Sequence, residues 1–512
     1  MTNSDRKLVF GQPTRAVAAA PRVRDVNRDQ MLMLEIDVER LIPEDHAARA
    51  IWELTGNLEL KAFYDQVKAV EGRAGQPPFD PRLMISIWVY GLSRGISSAR
   101  ELSEWCRWEP GLQWLCAMGS VNYHSLSTFR SLHGEALKQL FVELLAVLMG
   151  EGLVGLERLT VDGTRIHAHC SGGGLRKGER LQDYLKQATA HVEELEKEAA
   201  DSLSARERAA RERSRRERQQ RVAEARNVFR QLQQQRGEQQ ASTVQMKVNE
   251  PEARVMKQPE GSFAPSYNLQ LATDAKEKII VAVVASDSGA DVGLLAEVMD
   301  AVKETSGKLP KEVLVDGGYV SANNLEQSQI RGVELIGPVP ETGGSARKQA
   351  EQRGVSEAYR KEAFHYDSQN DAYQCPEGKL LVHIKARERE TGRIEHYYRA
   401  KRGDCARCGH KMECCPTAWN QGRTVTRTEP SPLMTAFRQK MQSDDYRQLY
   451  RKRSEVAEFP NAWIKEKLKL RRFRLSGIAK VATESLWAVI TYNVQQWIRL
   501  SWRPRLTAAT AA

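Results

Sequence analysis

Two short stretches decide how this sequence is read: Leu159-Thr160-Val161-Asp162-Gly163-Thr164 and Val313-Leu314-Val315-Asp316-Gly317-Gly318-Tyr319. Each is an apolar, β-branched run of strand length that reaches an aspartate followed at once by glycine. Between them, Tyr267-Asn268-Leu269-Gln270-Leu271-Ala272-Thr273-Asp274 and Ile279-Ile280-Val281-Ala282-Val283-Val284 flank the polar turn Ala275-Lys276-Glu277-Lys278, which predicts a hairpin. A helix with Leu294, Leu295, Val298 and Val302 on one face follows and ends at Leu309-Pro310. The order strand, hairpin, helix, strand lets the first and last strands run parallel and adjacent through a right-handed crossover. Asp162 and Asp316 would then end neighbouring strands, roughly 4.8 Å apart. Two carboxylates that close repel unless one keeps its proton. A hard divalent cation with oxygen ligands removes the conflict.

A third acid is expected from a later helix facing those strand ends. In Tyr450-Arg451-Lys452-Arg453-Ser454-Glu455-Val456-Ala457-Glu458-Phe459, continuing to Lys465, Glu458 and Lys465 are seven apart and share one helical face. From Tyr446 to Lys480 there are 11 Lys or Arg against 3 Glu, with Tyr446, Tyr450, Phe459, Trp463 and Phe473 interleaved. Such a stripe suits a DNA backbone, and Tyr450, Arg453, Lys465, Arg471 and Arg472 are its candidate contacts. The whole chain of 512 residues carries a net charge of +11, which favours a polyanionic partner. His167 and His169 alternate on one strand face; without a third ligand they read as surface or DNA-contact residues rather than zinc ligands. Asp291 follows the hairpin strands and is a candidate support for the site, with a loop acid before a helix as the first reading.

Outside these motifs the chain divides by composition. Residues 1–27 form a polar, basic leader, and 28–152 an all-helical N-terminal domain in which a helix-turn-helix would place His124 to Phe129 ahead of a helix start. The α/β core takes 153–175 and 246–345 and closes with 431–500, before a tail at 501–512. An insert at 176–245 has a heptad seam through Leu181, Leu185, Ala188, Val192, Leu195 and Ala199. A capping box from Ser204 to Glu207 then opens a second helix, striped by Val222, Ala225, Phe229 and Leu232, so an antiparallel helical hairpin is expected. A second insert, 346–430, holds five of the eight cysteines. Cys405-Ala406-Arg407-Cys408 has the spacing that lets two sulfurs grip one tetrahedral ion. Cys375 and either Cys414 or Cys415 would complete a structural zinc site, with His410 as another ligand candidate; reduced structural cysteines are the alternative. No apolar run long enough for a membrane span appears, and Asp5, Arg6 and Lys7 precede no signal core. A cytoplasmic protein is expected.

The motifs in order, Val161-Asp162-Gly163-Thr164, Tyr267-Asn268-Leu269-Gln270 and Val315-Asp316-Gly317-Gly318-Tyr319-Val320-Ser321, resemble those of the DDE transposases of bacterial insertion sequences, in particular the insertion-sequence family 1182 type. Tyr450, Arg453, Glu458 and Lys465 resemble that family's third, tyrosine-arginine-glutamate-lysine signature. Six residues separate Glu458 from Lys465 as in the family. Four separate Arg453 from Glu458, where the wider group usually has three, which leaves Glu455 as a competitor. The resemblance implies a ribonuclease H-like catalytic core that holds two Mg²⁺ or Mn²⁺ ions on Asp162, Asp316 and Glu458. It also implies DNA cleavage and strand transfer at element ends, and a homo-oligomer assembled on DNA. A metal-dependent nuclease without strand transfer, or an inactive DNA-binding relic, are the competing readings.

Overall fold

The computed structural model describes residues 35–67, 77–170, 205–236, 245–339, 344–388, 394–416, 421–429 and 431–511, with single residues and short pieces between them. Its centre is a sheet built from β1 (Arg158–His167), β4 (Arg254–Lys257), β5 (Phe263–Asp274), β6 (Ile280–Ser286), β7 (Glu312–Val315) and β8 (Glu334–Ile336). A ribbon of β2 (Arg176–Lys177) and β3 (Gln245–Met246) stands apart from it. The order is β4-β5-β1-β7-β8, with β6 also on β5. β5 and β6 form the antiparallel hairpin, and β1 pairs antiparallel with β5 but parallel with β7. The β1–β7 register puts Val161 opposite Val315, so Asp162 and Asp316 are the next residues at the same level.

The buried carboxylate of Asp274 fixes where β1 starts. It accepts hydrogen bonds from the amides of Gly155 (3.2 Å), Leu156 (2.8 Å) and Lys276 (2.9 Å), tying the hairpin turn to the chain entering β1. The helix Leu295–Ser306 packs Leu295, Val298, Met299 and Val302 inward. It stops at Gly307 rather than at Leu309-Pro310, because Gly307 adopts φ +75° and returns its N–H to Lys303.

Among the described residues, seven α-helices from Ala47–Asn57 to Gly134–Gly150 precede the sheet. His124 to Phe129 lie inside the helix Tyr123–Leu132 instead of ahead of it. The cap is Asn122, whose side chain accepts the Ser125 amide at 2.9 Å. These helices and the sheet share one apolar core, from Ile42 to Trp502. The helix Ile478–Trp497 joins them, apolar on most sides and buried accordingly. Trp487 donates its indole N–H to the Arg130 carbonyl, while Asn493 exchanges two hydrogen bonds with the backbone of Ile280 at the start of β6. No helix among the described residues is long and apolar enough to cross a membrane.

The insert at 176–245 contributes the helix Ala205–Arg236, which buries Val222, Ala225 and Phe229, the last two packed with Met246. Of the expected first helix of the hairpin, Gln182, Asp183, Lys186 and Gln187 are helical and exposed, whereas its heptad-seam residues and Ser204 of the capping box lie outside the described residues. The second insert folds as its own antiparallel sheet of β9 (His365–Asp367), β10 (Ala372–Gln374), β11 (Leu380–Glu388), β12 (Ile394–Ala400) and β13 (Thr424–Thr428), around a separate small core.

Candidate active site

β1 does not end at Asp162. It continues to His167 against β5, and only its parallel pairing with β7 stops at Val161. The aspartate therefore stands mid-strand at the point where β7 leaves the sheet, which opens one side of it. Asp316 follows β7 directly and caps the turn Gly317–Tyr319 by accepting the Gly317 amide; its side chain is exposed.

The helix Arg453–Glu466 docks on Asp162. Arg453 Nη2 donates to Asp162 Oδ1 and Asn461 Nδ2 to Oδ2, both at 2.8 Å. Burial pushes the Asp162 carboxyl up; Arg453 opposes this, and the charges of Asp316 and Asp291 add to it. Lys465 lies on the same flank: burial lowers its ammonium, and Asp162 pulls it back up. Tyr450, raised chiefly by burial, rests beside Arg453 within the field of Asp316.

Glu458 sits on this helix three residues before Asn461, hence beside it on the surface. Its side chain is exposed and makes no hydrogen bond or ion pair among the described residues. Glu455, the competitor, points elsewhere and pairs with Lys278 at 2.7 Å. The structure thus joins Asp162 and Asp316, brings Arg453, Lys465 and Tyr450 to them, and leaves the Glu458 carboxylate free at the margin. Among the described residues no three His, Cys, Asp or Glu side chains are grouped as a metal-binding set, here or elsewhere.

Of the other candidate DNA contacts, Arg471 pairs with Glu466, and Arg472 donates to the carbonyls of Ala168 (2.9 Å) and Cys170 (3.1 Å). The chain at Arg471 to Phe473 runs alongside His167, whose amide and carbonyl it satisfies. These two arginines fasten the end of β1 in place. His169 is exposed and His167 half-buried beside Arg472.

The sequence reading passed over an amide clamp. Asn268 and Gln270, buried on β5, both donate to Asp291 Oδ1, at 2.7 and 2.8 Å. Tyr319 in turn donates to Gln270 Oε1. Asp291 is therefore a held part of this site, not only a loop acid. Gly163 makes room for the clamp: a Cβ there would stand 2.5 Å from Gln270 Nε2 and 2.7 Å from Asp291 Oδ1. Two amides at alternating positions in an otherwise apolar strand were the available signal, because buried amides require partners. Asn461 had no such signal.

Two segments match models of known families. Residues 374–498 match the family described as "Transposase DDE domain", and residues 36–132 match "Transposase domain (DUF772)". The first segment contains the cysteine cluster and the helix bearing Glu458, while Asp162 and Asp316 lie outside both. The comparison with curated proteins found no match. One match among the N-terminal helices and one over the C-terminal third together support a transposase of the DDE type, an enzyme acting on DNA.

Proposed function

We propose that this chain is an insertion-sequence transposase of the family 1182 type that cleaves and joins DNA through divalent cations held by Asp162, Asp316 and Glu458. The observation that carries the reading is the pairing of β1 with β7, which sets two aspartates level on adjacent parallel strands, with the helix of Glu458 docked onto the first. The strand order, with β5 and β6 on one side of β1 and β7 and β8 on the other, fits a ribonuclease H-like core.

The donors fit hard cations. All are oxygens, and the buried Asn461 Oδ1 beside Asp162 has no hydrogen-bond partner among the described residues. Arg453 meanwhile balances the Asp162 charge that a cation would balance. When bound, two such ions would activate water or a DNA 3′-hydroxyl and stabilise the leaving oxygen of an in-line displacement. Asp162, Asp316 and Glu458 would be the residues that hold them. Lys465 and Tyr450 would meet the phosphate, and Arg453 would exchange its carboxylate for phosphate as DNA enters. Element ends and target DNA are the partners, and a homo-oligomer on DNA, working in the cytoplasm, completes the proposal.

The test is cleavage and joining of labelled element-end DNA with Mg²⁺, comparing the wild type with Asp162→Ala. Strand transfer by the wild type alone is the expected result. Cleavage without joining would make the protein a nuclease, and DNA binding without chemistry an inactive relic. Equal activity in both proteins would remove Asp162 from the mechanism.

A further inference from the structure

The second sheet has a composition problem that its cysteines would solve. Its core holds ten buried residues, two of them Cys414 and Cys415, and is separate from the main core. A small unit with so few buried apolar residues gains from a staple, either covalent or metallic. Five thiols, Cys375, Cys405, Cys408, Cys414 and Cys415, line one cavity of about 30 Å³. That is room for a water or an ion.

Two tight turns aim the sulfurs. After Cys375 the chain turns through Gly378 at φ +73°, and the Lys379 amide donates to Cys375 Sγ at 3.2 Å. The Cys405–Cys408 turn closes with the Cys408 amide on the Cys405 carbonyl, and the Arg423 amide donates to Cys405 Sγ at 3.3 Å. Amide donors stabilise a sulfur carrying negative charge, as a metal-bound thiolate does. His410 is not on the cavity. It stacks on Tyr359 and faces Glu377 and Glu413.

We infer that this cavity is a structural zinc site, with Cys375, Cys405 and Cys408 as ligands and the pair Cys414/Cys415 supplying the fourth. Zinc with four sulfurs is tetrahedral, with bonds of about 2.3 Å. Among the described residues the thiols line the cavity but are not grouped as a coordination set, so binding requires them to close inward on the ion. Four thiols lose their protons to the solvent and no electrons move. The site is remote from Asp162 in role as well as in sheet: it holds the insert folded and takes no part in the phosphoryl chemistry.

The full chain, purified without chelator, should carry about one zinc per molecule by elemental analysis. The double variant Cys405→Ser/Cys408→Ser should lose it, whereas Cys170→Ser and Asp162→Ala should retain it. A second measurement does not depend on any variant folding. Wild-type protein stripped and reloaded with Co²⁺ should show the thiolate-to-cobalt charge-transfer and tetrahedral d–d bands. Wild-type protein that takes up neither Zn²⁺ nor Co²⁺, that holds iron instead, or whose five thiols are found in disulfides, would overturn the inference. Zinc retained by the double variant would do the same.

Discussion

The protein gathers like groups in two places and treats them in opposite ways. At β1 the groups are acids. Asp162 is half-buried against Arg453 and Asn461, Asp291 is clamped by two amides, and Asp316 is left in solvent. In the second sheet the groups are thiols, drawn around one cavity and shielded, with Cys414 pushed up to about 12 by burial. Carboxylates repel at neutral pH, so they are spaced, and Asp162 is paired with an arginine. Thiols carry no such repulsion when protonated, and two of them, Cys414 and Cys415, are packed as core. The acids are thus left partly open to solvent, whereas the thiols are gathered around a small cavity with Cys414 and Cys415 buried.

The largest effect that would test this contrast is at Asp162. Asp162→Ala should reduce cleavage by at least about 10²-fold, the scale of losing a principal charge-stabilising group, measured as the single-turnover rate on end DNA. The zinc content of the second sheet should not change. If both fell together, the two regions would be one unit and the contrast would fail.

Next is the clamp. Gly163→Ala drives a methyl into Gln270 and Asp291 and should lower activity about 10–100-fold, as loss of supporting contacts around metal ligands does. Crowding of this kind costs about 1–3 kcal/mol in stability, read by urea unfolding. A variant with full activity would show that Asp291 need not be held.

A smaller effect is expected from pH. Burial raises the Asp162 carboxyl above its ordinary value of 3.8, so the folded chain binds that proton more tightly than the unfolded chain. Stability from this group is present below 3.8 and falls as pH rises through the raised value. Asp162→Asn should flatten that part of a urea-midpoint profile, and an unchanged slope would assign it to other groups. The smallest effect belongs to Glu455→Gln, which removes an exposed pair with Lys278. It should leave cleavage unchanged, while Glu458→Gln should lower it on the scale of Asp162→Ala. The reverse result would exchange the two glutamates' roles.

Where the sequence was legible, a local pattern carried the information. The hairpin, the crossover and the parallel neighbours followed from strand period and length, and they placed Asp162 and Asp316 level without any contact being known. The end of β1 was misjudged because the apolar run stops at Asp162 while the strand continues, with Gly163 and Arg165 still paired to β5. Helix caps at Asn122 and Gly307 were missed in favour of neighbouring signals of similar strength. The partners of Asp162 could not be read at all. Nothing in the local sequence of Asn461 says which strand its amide will meet, and the roles of Arg471 and Arg472 at the end of β1 depend on a chain path that charge counting does not reveal.

The contact from Arg453 to Asp162 spans 291 residues of chain. At ribosomal speeds that separation is roughly 15–60 s of synthesis. Throughout that interval the first aspartate exists without the helix that completes its surroundings, and the buried helix that seals the core comes later still. The surroundings of Asp162 are thus dated by the chain's own topology: they cannot be complete until the helix Arg453–Glu466 has been made.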